Sequence, residues 1–390
     1  MNTYNRLPVS FARGEGAWLW DEAGNRYLDA LAGIAVSGLG HAHPALVKAI
    51  ADQAARVIHT SNIYQIRRQE ELAARLCALS GMSEAFFCSS GSEANETAIK
   101  LARLYGHLNE VQNPAIVVME RAWHGRTLAT LSATGNRKAQ AGFEPLMSGF
   151  IRVPYNDAKA VQQAAENNRN IVAVLFEVLQ GEGGINVADF EYVRFLRRIC
   201  DERGWLLMID EVQSGIGRTG KWFSFQHAGI DPDVITLAKG LGSGVPIGAC
   251  LGAKRAAGVF KPGNHGSTFG GGPLACAAAC TTLEVMEKDD LLANAAKQGE
   301  ALRAGLRSAL EGVSGVVQIR GMGLMIGIEL DRPCGELVKQ ALAKGLLINV
   351  TSEKVIRLLP PLIINNDEIE QLVSLLAPLV RNFLASGATA

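Results

Sequence analysis

Five short apolar runs fill the first 240 residues, and each stops abruptly in a polar or glycine-rich cluster. Ala85–Ser89 runs into Ser90-Gly91-Ser92-Glu93, and Ala115–Glu120 into Ala122-Trp123-His124-Gly125-Arg126. Ile171–Val178 runs into Leu179-Gln180-Gly181-Glu182-Gly183-Gly184, Trp205–Ile209 into Asp210-Glu211, and Asp233–Ala238 into Lys239-Gly240. Stretches of helical period lie between them, such as Ala94–Leu108 and Phe190–Arg203. Runs of this length without polar alternation suit strands buried on both faces, and their alternation with helices predicts an α/β fold with a mostly parallel, doubly wound central sheet. In such folds ligands bind beyond the carboxyl ends of the strands, where all five clusters fall.

The clusters carry complementary chemistry. Lys239 follows a β-branched run and precedes Gly240, which places its ammonium at the mouth of a loop, and Asp210 ends another strand. A lysine that can form an imine and a carboxylate that can keep a ring nitrogen protonated are what an aldehyde cofactor needs. The strand–glycine–helix passage through Gly91 and Ser92 suits a phosphate at a helix N-terminus, and equally a plain helix start with Ser92 as N-cap. Trp123 suits ring stacking or a place in the core, and Arg126 suits a substrate carboxylate or a surface ion pair. Pyridoxal 5'-phosphate would use Lys239, Asp210, Gly91 with Ser92, and Trp123 together. Rival motifs fail on spacing. Gly240-Leu241-Gly242-Ser243-Gly244 and Gly321-Met322-Gly323-Leu324-Met325-Ile326-Gly327 both miss the dinucleotide pattern, which counts against a nicotinamide-dependent oxidoreductase. No serine stands in a nucleophile elbow.

The remaining 116 residues from Ala275 read differently. Helical stretches (275–288, 291–310, 367–384) mix with strand-like runs, which predicts a smaller α+β domain over 275–390. Residues 1–45, with aromatic strands around Trp18–Asp29, are expected to join it, which leaves 46–274 as the large domain. Gly248–Gly252 is expected to close the large sheet.

Several motifs together resemble the class III (fold type I) aminotransferases over essentially the whole chain. They are Gly40-His41-Ala42-His43-Pro44, Ser90–Glu96, His124–Thr127, Gln180–Gly184, Asp210–Gly215, Gly217–Gly220, the Lys239 segment and Gly266–Gly271. Within the class, Arg320–Leu324 and the short N-terminus most resemble the acetylornithine aminotransferases of bacterial arginine synthesis. The resemblance implies transfer of the δ-amino group of N2-acetyl-L-ornithine to 2-oxoglutarate, with succinyldiaminopimelate, ornithine, succinylornithine and 4-aminobutyrate as alternative donors. It implies that Glu211, Val212 and Gln213 help hold the cofactor, with Gln213 at its phenolic oxygen. It implies a homodimer in which Thr268 reaches the neighbouring subunit's cofactor phosphate and Ser267 lies beside the neighbour's substrate. Arg126 would take the substrate α-carboxylate, Arg357 that of glutamate, and Tyr4 a further substrate contact. Glu182 would pair with Arg357 while the other substrate is bound. The chain departs from the family with Trp123 where phenylalanine or tyrosine is usual.

Lys+Arg and Asp+Glu both number 38, so no basic field suggests nucleic acid. The seven cysteines are odd in number and mostly within apolar runs, which suits buried thiols in a reducing cytoplasm. No metal is expected: His41 and His43 share a glycine loop without a nearby carboxylate, and Cys276 and Cys280 have no histidine close by. The N-terminus shows no secretory signal, and no apolar stretch is long enough to span a bilayer.

Overall fold

The computed structural model describes residues 1–386. Among them, seven strands form the central sheet, in the order Glu84–Cys88, Gly248–Gly252, Val234–Leu237, Leu206–Asp210, Ile171–Phe176, Ala115–Met119 and Phe150–Val153. The pairings of the last five are parallel. Every residue of 115–119, 171–176, 206–210 and 234–237 is buried, which explains why the runs lack alternation: both faces are covered.

Gly248–Gly252 departs from the expected closing strand. It lies inside the sheet, antiparallel to both Val234–Leu237 and Glu84–Cys88. Its small residues explain the placement. The helix Gly91–Leu108 packs directly over this strand, and a Cβ at Gly248 would stand only 2.4 Å from the Ser90 carbonyl oxygen. The missing side chain lets the start of that helix settle onto the sheet.

A second sheet contains Val316–Met322, Met325–Leu330, Val355–Leu358 and Asn349–Thr351, all antiparallel. The helices Leu291–Ala309 and Asn366–Ser386 pack against each other beside it. The N-terminal strands Phe11–Glu15, Trp18–Asp21 and Arg26–Asp29 form a third sheet, completed by Leu346–Leu347 from the C-terminal part of the chain. Helix Pro273–Lys288 packs on the helices Pro44–Ala54 and Arg67–Ser80. One face of the large sheet, with Val117, Val174, Leu207 and Ile235, shares a continuous apolar cluster with Ile326 and Ile356 of the second sheet, while its other face, with Ile116, Leu175 and Met208, packs into a separate cluster. A fully buried member such as Phe176 contributes about 2–3 kcal/mol over its exposed state.

Candidate active site

The helix after Glu84–Cys88 begins at Gly91 rather than Ala94, and its cap is Ser90, not Ser92: the Ser90 hydroxyl accepts from the Glu93 amide at 3.3 Å. The Glu93 carboxylate in turn accepts from the Ser90 hydroxyl and the Ser89 amide, which ties the helix start to the chain before it. Ser92 therefore lies inside the first turn, where amides lack intrahelical acceptors and the helix dipole favours an anion. Its hydroxyl accepts from the Arg126 amide at 3.3 Å.

This helix start borders a cavity of about 360 Å³, lined also by Trp123, Asp210, Val212, Gln213 and Lys239. Seven of the residues singled out in the sequence thus converge, delivered by the ends of four different strands. Lys239 itself has φ +44°, a left-handed conformation rare outside glycine that costs roughly 1 kcal/mol or more. It is half-buried, and its ammonium makes no hydrogen bond or ion pair within the described residues. Burial lowers its pKa, opposed by Asp210 and Glu182.

Asp210 is held on both oxygens. Oδ1 accepts from the Val212 amide at 2.9 Å. Oδ2 accepts from Asn95 Nδ2 and lies against His124 Nδ1, each at 2.8 Å. Asn95 is fixed in turn, donating to the His124 carbonyl and accepting from Thr236 Oγ1 at 2.7 Å. Sequence reasoning missed Asn95 and His124 as site residues. Asn95 sits one helical turn past Gly91 and His124 next to Trp123, so each had a positional signal that nothing in its residue type singled out. Glu177, also missed, is buried one residue past the strand Ile171–Phe176. It accepts from the Trp123 and Gly181 amides at 3.0 and 3.3 Å. Burial pushes its pKa up to about 7, against the lowering influence of His124 and these amides.

The second cluster lies where the two sheets meet. Arg357, on Val355–Leu358, is fully buried and pairs with Glu182 at 2.5 Å. Its Nη1 also donates to Gln213 Oε1 at 3.2 Å, and Nε to Asn349 Oδ1 at 3.0 Å. Nη2 is buried without a partner.

Other expected residues stand apart. Glu211 is not among the residues that line the cavity, and its carboxylate accepts from Ser214 Oγ, Ser224 Oγ and the Phe225 amide. Burial raises its pKa despite these bonds. The exposed Arg126 guanidinium lies 4.6 Å from the Trp123 ring centroid, so the tryptophan meets a cation as well as the cavity. Ser267 is half-buried and Thr268 exposed, both outside the cavity lining. Tyr4 is 70% exposed, with the Arg6 guanidinium 5.5 Å from its ring centroid, and does not reach the cavity.

The residues present fit pyridoxal phosphate on observations of their own. A half-buried lysine without a partner shares the cavity with a clamped carboxylate, His124 Nε2 is buried and unpartnered, and a glycine opens the helix beside the cavity. A Cβ at Gly91 would stand 2.7 Å from Val212 Cγ1 and crowd the space at that helix start.

Residues 1–380 match the family model for class III aminotransferases. The chain is 61% identical over 386 residues to an acetylornithine aminotransferase of Nitrosomonas europaea, covering 99% of this chain and 98% of that one. It is 62% identical to acetylornithine aminotransferase 1 of Bordetella bronchiseptica, covering 98% of each. Among solved structures it resembles the ornithine aminotransferase of Toxoplasma gondii ME49, with TM-score 0.94, 32% identity and coverage of 100% and 93%. It also resembles the N-acetylornithine aminotransferase of Stenotrophomonas maltophilia K279a, with TM-score 0.85, 33% identity and coverage of 98% of each chain. A full-length family match, an α/β fold shared with solved aminotransferases and a lysine–aspartate cavity at the strand ends agree: the chain belongs to the class III aminotransferases, which work with pyridoxal phosphate.

Proposed function

We propose that this protein moves the δ-amino group of N2-acetyl-L-ornithine to 2-oxoglutarate, giving N-acetyl-L-glutamate 5-semialdehyde and L-glutamate, a step of arginine synthesis. The observation that carries the reading is the pair of buried Arg357 with half-buried Glu182, joined to the cavity through Gln213, one arginine nitrogen of which has no partner. An aminotransferase with two dissimilar substrates must accept an α-carboxylate in one half-reaction and none at the same place in the other. An arginine that can exchange an internal carboxylate for a substrate's does this. The high identity to acetylornithine aminotransferases supports the choice of donor.

The bound cofactor supplies an electron sink. Asp210, fixed by Asn95, His124 and the Val212 amide, would hold the proton on its ring nitrogen. Gly91 and Ser92 would receive its phosphate, Trp123 would pack on its ring, and Gln213 would meet its phenolic oxygen. Lys239 would anchor the cofactor and serve as the proton carrier at the reacting substrate carbon, a task suited to an amine whose pKa burial has lowered. Arg126 takes the donor's α-carboxylate. Ser267 and Thr268, away from this chain's own cavity, serve the site of a second subunit in a homodimer, and Tyr4 touches substrate. Residues 46–274 form the cofactor-binding domain, and 275–390 with 1–45 the smaller one, a division supported by the pairing of Leu346–Leu347 with Arg26–Asp29. The free cysteines support a cytoplasmic location. No helix among the described residues is long and apolar enough to cross a membrane.

Initial rates with 2-oxoglutarate as acceptor test the reading. Acetylornithine should be used best. Faster turnover of free ornithine, the donor named for the Toxoplasma gondii relative, or of 4-aminobutyrate would replace the proposed donor. Sedimentation tests the shared site, since a fully active monomer is incompatible with it.

A further inference from the structure

The turn that carries Glu182 is gripped from the second sheet at two places. At one end, Thr351 Oγ1 and Ser352 Oγ donate to the Glu182 carbonyl oxygen at 2.5 and 3.1 Å. At the other end stands Arg320, on Val316–Met322. Its Nε donates to the Ile185 carbonyl at 3.0 Å, and its Nη2 to the Gly184 carbonyl and Asn186 Oδ1 at 2.5 and 3.3 Å. Nη1 donates to Gln318 Oε1 at 3.0 Å and Glu329 Oε2 at 2.6 Å. All five N–H donors of a guanidinium are thereby used, three of them on residues 184–186. Glu329 is steadied by Lys354 at 3.0 Å. The gripped backbone needs holding: Ile185 has φ +55°, a conformation unfavourable for a β-branched residue.

Arg320, Thr351 and Arg357 all belong to one four-stranded sheet. The sheet that presents the arginine also fixes the turn that presents its carboxylate partner. We propose that Arg320 is the positioning residue of the Glu182–Arg357 exchange. It locks the backbone of 184–186, so that Glu182 meets or leaves Arg357 by side-chain rotation alone. The inference rests on the exchange proposed above. Its consequence is asymmetric. The half-reaction with acetylornithine needs Arg357 masked and therefore needs the turn in place. The half-reaction with glutamate needs Glu182 withdrawn and tolerates a loosened turn.

The test compares the two half-reactions of the cofactor-loaded enzyme in single-turnover mixing, together with hydrogen exchange of the peptide covering 181–187. Arg320→Gln should lower the donor-to-glutamate ratio of kcat/KM about tenfold, the scale of losing charged hydrogen bonds, and speed exchange in that peptide. Arg320→Lys keeps the charge beside Glu329 but not the planar fork, and should fall between. This variant carries the test if Arg320→Gln does not fold. Glu182→Gln is the reference: it should shift the same ratio at least as far without speeding exchange. If Glu182→Gln shifts the ratio and the Arg320 variants lower both half-reactions equally, Arg320 is merely structural and the inference is overturned while the exchange stands. If Glu182→Gln leaves the ratio unchanged, the exchange itself is wrong and the inference falls with it.

Discussion

The two ends of the site, the Asp210 cavity and the Glu182–Arg357 pair joined to it through Gln213, are built on opposite plans. At the Asp210 end, the carboxylate comes from a central strand, and both its oxygens are held by groups that are themselves held. At the Glu182 end, the carboxylate comes from a turn, its partner Arg357 from a different sheet, and one arginine nitrogen is left without a partner. The first arrangement suits a charge that must stay in place throughout a cycle, because preorganised dipoles need no rearrangement as the reaction proceeds. The second suits a charge pair that must open, because an incompletely satisfied buried cation gains when a substrate carboxylate arrives. Chemistry common to both half-reactions is placed on the rigid frame, and discrimination between substrates on the seam between the sheets.

The largest effect should come from the fixed end. Lys239→Ala removes anchor and proton carrier together, and turnover should fall by about 10⁴-fold or more with every donor. The variant should also lose the absorbance of lysine-bound cofactor. Retention of both turnover and absorbance would break the assignment of the cavity. At the exchanging end the loss should be selective. Arg357→Lys keeps a positive charge but loses bidentate geometry, so KM for 2-oxoglutarate should rise about 10- to 100-fold. The half-reaction with acetylornithine should change much less. Equal losses in both half-reactions would erase the distinction between the two ends.

A smaller effect tests the phosphate cradle. Gly91→Ala puts a methyl group 2.7 Å from Val212 Cγ1, so one of them must move. Cofactor affinity, measured by equilibrium titration of the apoprotein, should weaken about tenfold, within the 1–3 kcal/mol typical of overpacking. Unchanged affinity would show that the phosphate is held elsewhere.

The difference between the two ends also explains what the sequence could disclose. Lys239, Asp210 and Gly91 were legible because each stands at or just past the carboxyl end of a strand, and strand ends are where this class of sheet gathers its ligands. The antiparallel insertion of Gly248–Gly252 was not legible, since strand order is set by how helices pack across the sheet and local pattern does not encode it. The misplaced cap is a local ambiguity: Ser90 and Ser92 flank one glycine, and only the reach of Glu93 back to Ser90 decides between them. Glu211, adjacent to Asp210, turns its carboxylate elsewhere. Successive residues leaving a strand diverge, and its carboxylate was drawn to Ser214 and Ser224. The meeting of Glu182 with Arg357 followed only from the family likeness, because the two are far apart in the chain and no periodicity links them.

Glu177 gives the smallest and most specific prediction, because it sits beside the fixed end as an acid whose pKa burial raises. Its pKa, about 7 when folded, lies above the ordinary glutamate value of 4.5. The folded apoprotein therefore binds a proton that the unfolded chain releases between those values. The contribution of this group to stability is complete below pH 4.5, declines as pH rises, and is lost above about pH 7. Glu177→Gln keeps the shape and removes the titration. The melting temperature of this variant minus that of the unaltered apoprotein should rise by a few degrees between pH 4.5 and 7 and then level off. A difference that is flat across this range would mean that the amides of Trp123 and Gly181 already hold Glu177 ionised. In that case the fixed end would carry a second permanent negative charge beside Asp210.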